Sequence, residues 1–230
     1  MTDFPFALVG FDLDGTLLDT SPELTAAVNH TLGRAGHPPF TLDEVKPMIG
    51  LGAKHMLKMG LEKAGMDDPE ALETWLPVLL DYYGDNLGSG SPPFPGLIDA
   101  MNRLDALGVR MAVVTNKYER FAVKLLTAIG MADRFTCIIG GDTMGRGKSK
   151  PHRAPIDEMI RRSGGVPGEM RAAFIGDSIY DTGAARAAGI PSIAVSFGFL
   201  HQPVEELGAD AIIDHYDELI PTLERLAAKG

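Results

Sequence analysis

Short apolar runs recur along the chain, and between them apolar residues repeat at intervals of three and four. The runs do not alternate with polar residues, which is typical of parallel strands buried on both faces. They predict strands at residues 6–11, 109–115, 136–139, 172–175, 192–196 and, more weakly, 211–213. Strands that alternate with helices predict an α/β fold, a Rossmann-like parallel sheet with helices on both faces.

One long stretch, residues 21–88, has no convincing strand pattern. Its apolar residues form two stripes at helical spacing, Leu57, Leu61 and Ala64 and then Leu72, Leu76, Leu79 and Leu80. We therefore predict a helical cap inserted after the first strand of a discontinuous core, residues 1–20 and 89–230. Ser21 is expected to cap the first cap helix, with Pro22 at its first position. Small residues followed by prolines at 88–93 predict a hinge.

Composition and charge exclude several classes of function. The 230 residues carry a formal net charge of −10, which repels nucleic-acid phosphates and argues against a nucleic-acid partner. No apolar run approaches the roughly 20 residues that span a bilayer, and no basic segment followed by an apolar run opens the sequence. We expect a cytoplasmic protein without a membrane partner, either a monomer or a homodimer. The single cysteine, Cys137, lies in an apolar run and is expected to be a buried structural thiol.

The most informative segment is Asp12-Leu13-Asp14-Gly15-Thr16, at the end of the first predicted strand. Alternation along an extended chain points the carboxylates of Asp12 and Asp14 to the same side, and Gly15 permits a sharp turn. Paired carboxylates in a dry loop repel each other unless a divalent cation offsets their charge. A plain Asp-Gly turn that only ends a strand is the alternative, and the neighbouring Asp12 and Thr16 argue against it.

This segment resembles the first motif of the haloacid dehalogenase superfamily in its phosphatase form, Asp-x-Asp-Gly-Thr. Residues 113–117 resemble the second motif, a strand that ends in a hydroxyl residue, here Thr115. Lys150, followed by a proline, resembles the third motif, and the spacing of Asp177 and Asp181 after a glycine resembles the fourth. The four motifs occur in the expected order, and the resemblance covers essentially the whole chain.

The reaction and the resemblance together imply roles for the acidic residues. Asp12 is the expected nucleophile, which forms a phospho-aspartate, because an ionised carboxylate can accept a phosphoryl group and later release it to water. Asp14 is expected to protonate the leaving oxygen and then to activate the attacking water. The resemblance implies that Mg²⁺ binds Asp12, the backbone carbonyl of Asp14 and Asp177, and that Asp181 supports this shell. The alternative for Asp181 is that it only caps or lines the helix after Ser178.

The second and third motifs imply the phosphate-binding residues. Thr115 and the backbone amide of Asn116 are expected to bind the transferring phosphoryl oxygens. Taken alone, Thr115 is better explained as an ordinary strand end and Asn116 as an ordinary turn former. Lys150 is expected to neutralise the charge between Asp12 and the phosphate. Lys148 competes with Lys150 for this role, and the proline after Lys150 favours Lys150.

The position of the cap resembles that of the phosphoglycolate phosphatase-like branch of the superfamily. The resemblance implies a small anionic phosphorylated metabolite as substrate, with 2-phosphoglycolate preferred. Gly50, Lys54 and His55 lie in a Gly-x-Gly turn followed by an apparent helix start and are candidate contacts for the anionic end of the substrate. A merely solvated helix face is the alternative for Lys54 and His55.

Three other functions remain as alternatives. A phosphosugar mutase of the same architecture would need a cap that excludes water and a bisphosphate primer. A dehalogenase would need neither magnesium nor Asp14, so the intact carboxylate pair argues against it. A non-catalytic phosphate-binding regulatory module would be expected to have lost one of the four motifs, and all four are present.

Overall fold

A central parallel sheet forms the core of the protein in the computed structural model, which describes residues 4–66, 68–88 and 90–228. The strands are β1 (Leu8–Phe11), β2 (Arg110–Val114), β3 (Ile138–Ile139), β4 (Ala172–Gly176), β5 (Ser192–Val195) and β6 (Ala211–Ile213). Across the described residues their order is β3-β2-β1-β4-β5-β6, and every neighbouring pair is parallel. Each predicted strand is present, which confirms the predicted fold class.

Helices connect the strands and cover the sheet. They are α1 (Ser21–Arg34), α2 (Leu42–Val45), α3 (Ala53–Lys63), α4 (Pro69–Asp85), α5 (Leu97–Ala106), α6 (Glu119–Ala128), α7 (Ala154–Arg162), α8 (Ile179–Ala188) and α9 (Leu219–Ala227). Val9 and Phe11 of β1 pack with α5, α6 and α9, whereas Leu8 packs with α7 and α8. Alternation along each strand therefore buries both faces of the sheet, as the non-alternating apolar runs predict.

The predicted cap contains helices α1 to α4, which share a hydrophobic cluster that also includes Phe121 of α6 and Phe199. Leu57, Leu61 and Leu79 from the two predicted stripes are buried in it. The chain segments that enter and leave this region run side by side, because Asp19 N donates to Pro92 O at 2.9 Å. The exact boundaries of cap and core stay a prediction, and Ser89, within the predicted hinge, lies outside the described residues.

The predicted helix cap at Ser21 is wrong by one position. Helix α1 begins at Ser21, so Thr20 occupies the cap position, and neither hydroxyl caps the helix. The Thr20 hydroxyl donates to Asp14 Oδ1 at 2.7 Å, and the Ser21 hydroxyl donates to Asp19 Oδ1 at 2.5 Å. Ionised carboxylates are stronger acceptors than neutral groups, so these hydroxyls bind carboxylates instead.

Two smaller expectations concern Cys137 and the membrane. Cys137 is half-buried rather than fully buried, and burial raises the pKa of its thiol, which disfavours the nucleophilic thiolate. Among the described residues, none of the helices combines the length and the apolar character that a membrane span needs.

Candidate active site

The first-motif turn places Asp12 directly beyond the carboxyl end of β1. Asp12 N donates to Ile175 O at 2.9 Å, so the sheet holds this residue in line with the strand. Gly15 has a φ of 80°, and a Cβ atom there would lie 2.1 Å from Asp177 Oδ2. Only glycine accepts this conformation without strain, and only glycine leaves room for the neighbouring carboxylate. The Asp-Gly pair therefore packs the first motif against the fourth.

The turn between β4 and α8 holds the two acidic residues of the fourth motif. Asp177 Oδ2 accepts a hydrogen bond from Phe199 N at 2.7 Å. Asp181 Oδ2 accepts from the backbone N and the hydroxyl of Ser178, at 3.0 and 2.5 Å. A Cβ atom at Gly176 would lie 2.3 Å from the Asp181 side chain. Asp181 is thus fixed by the start of α8 and by the absence of a side chain at Gly176.

Three carboxylates from these two turns form a buried cluster. Oxygen atoms of Asp12, Asp177 and Asp181 lie within 4.8 Å of one another. Burial raises the pKa of Asp12 from its usual 3.8 to about 7, and burial together with the charge of Asp181 raises the pKa of Asp177 well above its usual value. A cluster of carboxylate oxygens short of positive charge suits a hard divalent cation, so the residues present fit the metal that the resemblance implies.

Lys150 supplies a positive charge to this cluster. Its Nζ lies 2.9 Å from Asp12 Oδ1 and 2.5 Å from Asp181 Oδ1, and the side chain is almost completely buried. Burial alone would lower the pKa of Lys150, but the charges of Asp12 and Asp181 raise it, so the ammonium group stays protonated. Lys148, the competing candidate, is exposed to solvent. The structure thus brings Lys150, and not Lys148, to the carboxylates.

The second motif connects the core to the cap. Thr115 is buried and lines the same cleft as Asp12, and its hydroxyl accepts a hydrogen bond from Lys117 N at 3.2 Å. The side-chain amide of Asn116 donates to Gly50 O at 3.4 Å and to Lys150 O at 3.3 Å. Asn116 therefore links the second motif, the third motif and the Gly-x-Gly turn of the cap. The phosphate-binding roles of Thr115 and Asn116 stay predictions.

Sequence reasoning missed one residue of this site, Lys117. Its Nζ donates to both carboxylate oxygens of Asp14, each at 2.8 Å, and lies 4.8 Å from the centre of the Tyr83 ring. The Asp14 carboxylate thus pairs with Lys117 rather than joining the three-carboxylate cluster. Lys117 follows Thr115 by two residues at the end of β2, so alternation would have placed both on one side of the chain.

The active-site cleft lies between the predicted cap and core and is narrow, with a cavity volume of about 30 Å³. The core side of this active-site cleft carries Asp12, Asp14, Thr115, Lys117 and Phe121. Its cap side carries Leu24, Ile49, Gly50, Met56, Leu79 and Tyr83. The cap wall is therefore mainly apolar, and the polar groups are concentrated on the core side.

The three predicted cap contacts differ in their placement. Gly50 lines the active-site cleft. Lys54 is exposed and His55 is half-buried, and neither belongs to the described residues that line the cleft. Burial lowers the pKa of His55, which favours its neutral form. The structure thus brings Gly50 to the cleft and leaves Lys54 and His55 outside its lining, and a substrate contact at any of the three stays a prediction.

Comparisons with known proteins agree with this geometry. The phosphoglycolate phosphatase of Agrobacterium fabrum is 38% identical over 100% of this chain and 98% of its own length. That of Caulobacter vibrioides is 36% identical over 93% and 89%. A crystal structure described as a predicted phosphoglycolate phosphatase from Haemophilus somnus has a TM-score of 0.86 and 29% identity, over 95% of this chain and 98% of that one. The family model for haloacid dehalogenase-like hydrolases matches residues 9–195, and the chain belongs to this family.

Proposed function

We propose that this protein is a phosphatase that hydrolyses a small phosphate monoester, preferably 2-phosphoglycolate, through a phospho-aspartate on Asp12. The observation that carries the proposal is the position of Asp12, buried at the carboxyl edge of the sheet and 2.9 Å from the Lys150 ammonium group. Ligands of parallel α/β sheets bind beyond this edge. The names of the relatives support the choice of 2-phosphoglycolate.

The chemistry requires two displacements at phosphorus. An Asp12 carboxylate oxygen bonds to phosphorus while the ester P–O bond breaks. The electron pair of the broken bond goes to the leaving oxygen. Asp14 gives that oxygen a proton. A water molecule then attacks phosphorus, Asp14 takes its proton, and the bond between Asp12 and phosphorus breaks to release inorganic phosphate. Lys150 offsets negative charge beside Asp12 throughout.

We propose Mg²⁺ as the divalent cation of this site. Asp12, Asp177 and the backbone carbonyl of Asp14 would hold it, with Asp181 in a supporting role through its hydrogen bonds to Ser178 and Lys150. When bound, the cation offsets the charge of the carboxylate cluster and of the phosphoryl oxygens. Thr115 and the backbone amide of Asn116 are proposed to bind the remaining phosphoryl oxygens.

The cap favours a small substrate. Its wall of apolar side chains offers few partners for the hydroxyl groups of a sugar, and unpaired buried hydroxyls are costly. The Asn116–Gly50 hydrogen bond holds the Gly-x-Gly turn close to the second motif. A closed cap limits the water that can enter the site.

Phosphate release tests the function. We would measure inorganic phosphate from 2-phosphoglycolate, 3-phosphoglycerate, ethyl phosphate and glucose 6-phosphate, with Mg²⁺ and with excess chelator. The proposal expects Mg²⁺-dependent release and the highest kcat/KM for 2-phosphoglycolate. Isomer formation from a phosphosugar with a bisphosphate primer, without phosphate release, would instead establish the mutase. No turnover of any ester would favour the regulatory module.

The remaining proposals concern location and assembly. We propose a cytoplasmic protein that acts on a free metabolite, without a nucleic-acid or membrane partner, and that is a monomer or a homodimer. Sedimentation velocity of the purified chain distinguishes these two assemblies from larger ones. Binding to duplex DNA or to anionic vesicles at moderate salt would contradict the proposed partners.

A further inference from the structure

Lys117 is a cation that the proposed phosphoryl transfer does not use. Among the described residues that line the active-site cleft, it is the only lysine or arginine. Its side chain is 6% exposed, and its Nζ spans the two oxygens of Asp14. Its position in the cleft wall places it beside the space for the leaving group rather than beside the carboxylate cluster.

Tyr83 brings a second donor to the same place from the cap. It lies on α4, is 3% exposed and lines the active-site cleft. Its hydroxyl has no acceptor among the described residues, and the nearby Lys117 ammonium group is itself a donor and cannot serve as one. A buried hydroxyl without an acceptor is uncommon in folded proteins and points to a partner that enters from outside. The ring faces the Lys117 ammonium group at 4.8 Å, so both donors border one space.

The position of this donor pair matches one arrangement of substrate atoms. Asp14 must contact the ester oxygen in order to protonate it, and Lys117 contacts Asp14. The Asp14 carboxylate therefore bridges the Lys117 ammonium group and the ester oxygen, with one hydrogen bond to each. A carboxylate attached to the carbon that carries the ester oxygen lies within reach of this ammonium group, whereas a charge several carbons away would meet the apolar wall.

Apolar side chains around Lys117 strengthen the preference for an ester that carries a carboxylate. Leu24, Met56, Leu79 and Phe121 line the same cleft and offer no hydrogen bonds. They keep water from solvating a carboxylate that enters, so the interaction with a fixed ammonium group is stronger there than in open solvent. A phosphate ester of the same size whose alkyl group has no carboxylate would gain nothing from Lys117.

We propose that Lys117 and Tyr83 form the specificity site for the substrate's carboxylate, an inference that rests on the proposed function. Lys117 exchanges one of its two Asp14 contacts for a carboxylate oxygen, and the Tyr83 hydroxyl donates to the same carboxylate. The substrate class is therefore small phosphate esters of 2-hydroxy acids. The two residues choose among esters, and the carboxylates and Lys150 perform the transfer.

The test compares two esters that differ mainly in the carboxylate, 2-phosphoglycolate and ethyl phosphate. A lost hydrogen bond to a charged group corresponds to roughly 10- to 100-fold in affinity. Lys117→Met should therefore lower kcat/KM for 2-phosphoglycolate at least tenfold more than for ethyl phosphate, and Tyr83→Phe at least threefold more. Lys117→Arg should keep a preference for 2-phosphoglycolate over ethyl phosphate.

Two matched variants serve as controls. Lys148→Met removes an exposed loop lysine, and Tyr82→Phe removes the hydroxyl of the neighbouring tyrosine, which stacks on His30 at 4.1 Å. Both should leave the ratio of the two kcat/KM values unchanged. Melting temperatures show whether each variant folds, and Tyr83→Phe and Lys117→Arg carry the test if Lys117→Met unfolds.

The outcomes separate the two proposals. Equal losses for both esters in Lys117→Met and Tyr83→Phe would overturn the specificity site and leave Lys117 as a residue that only positions Asp14. A wild-type enzyme that hydrolyses both esters equally well would overturn the specificity site while the phosphatase stands. A wild-type enzyme that releases phosphate from neither ester, with Mg²⁺ present, would overturn the proposed function and this inference together.

Discussion

The Nζ atom of Lys150 lies 2.9 Å from Oδ1 of Asp12, and both side chains are buried. One lysine does not satisfy the site, because it also pairs with Asp181 and because Asp177 lies in the same cluster. Burial raises the pKa of Asp12 to about 7, and the negative charge of Asp181 adds to this rise while Lys150 opposes it. The site is therefore organised for a cation in addition to Lys150, and several predictions depend on that balance.

Replacing Asp12 with Asn should abolish turnover and leave the fold intact. The amide has nearly the same shape, but it cannot form the phospho-enzyme. Because the change removes one of three crowded carboxylates, the metal-free variant should melt at the same temperature as the wild type or higher. Phosphate release and thermal melts check both points. Asp99→Asn, at an exposed position of α5, is the control, and near-normal activity of Asp12→Asn would exclude the covalent route.

Stabilisation by Mg²⁺ should depend on pH. An Asp12 carboxyl with a pKa of about 7 in the fold and 3.8 when unfolded stabilises the metal-free protein below pH 4, and this contribution is lost as the pH rises to 7. Metal binding needs the ionised carboxylate, so the Mg²⁺-induced rise in Tm should grow from pH 5.5 to pH 8. Differential scanning fluorimetry measures it. Asp177→Asn should abolish the rise, and a rise that is the same at every pH would contradict the assignment.

Lys150→Ala and Lys148→Ala should differ sharply. Removing Lys150 leaves Asp12 and Asp181 buried without their cation, which should destabilise the metal-free fold by about 3–5 kcal/mol. Activity should fall by roughly 10²–10³, the loss typical of removing one stabilising donor at a reaction centre. Lys148→Ala, on an exposed loop, should change neither quantity. Urea unfolding and kcat/KM measure both, and similar effects of the two substitutions would refute the assignment to Lys150.

Gly15→Ala and Gly36→Ala separate backbone strain from steric conflict. Both glycines have positive φ, 80° and 83°, so an alanine at either position costs about 1–2 kcal/mol in backbone conformation. At Gly36 nothing lies within 4 Å of the added Cβ, whereas at Gly15 it would meet Asp177 Oδ2. Gly15→Ala should therefore also lose the Mg²⁺-induced rise in Tm and most activity. If Gly15→Ala and Gly36→Ala kept the same Mg²⁺-induced rise in Tm and the same activity, Asp177 would have to move aside without cost.

Local sequence was sufficient for the elements and for part of the site. The apolar runs predicted the strands because a sheet covered on both faces needs apolar residues at successive positions. Asp12 and Asp177 were assigned from the resemblance to the first and fourth motifs, and both directly follow strands whose ends meet at one edge of the sheet. The cap of α1 was assigned to Ser21 instead of Thr20, because the sequence does not show that Asp14 and Asp19 accept the hydroxyl protons of these two residues.

The sequence by itself determined the fold class, the order of the four motifs and the acidic residues at the strand ends, since these follow from patterns within a few residues. Only the tertiary structure decided that Lys150 rather than Lys148 reaches the carboxylates, that Lys117 pairs with Asp14, and that Tyr83 from the cap joins them. These contacts join residues far apart in the chain. Their formation depends on loop paths and cap packing, which residue spacing does not encode.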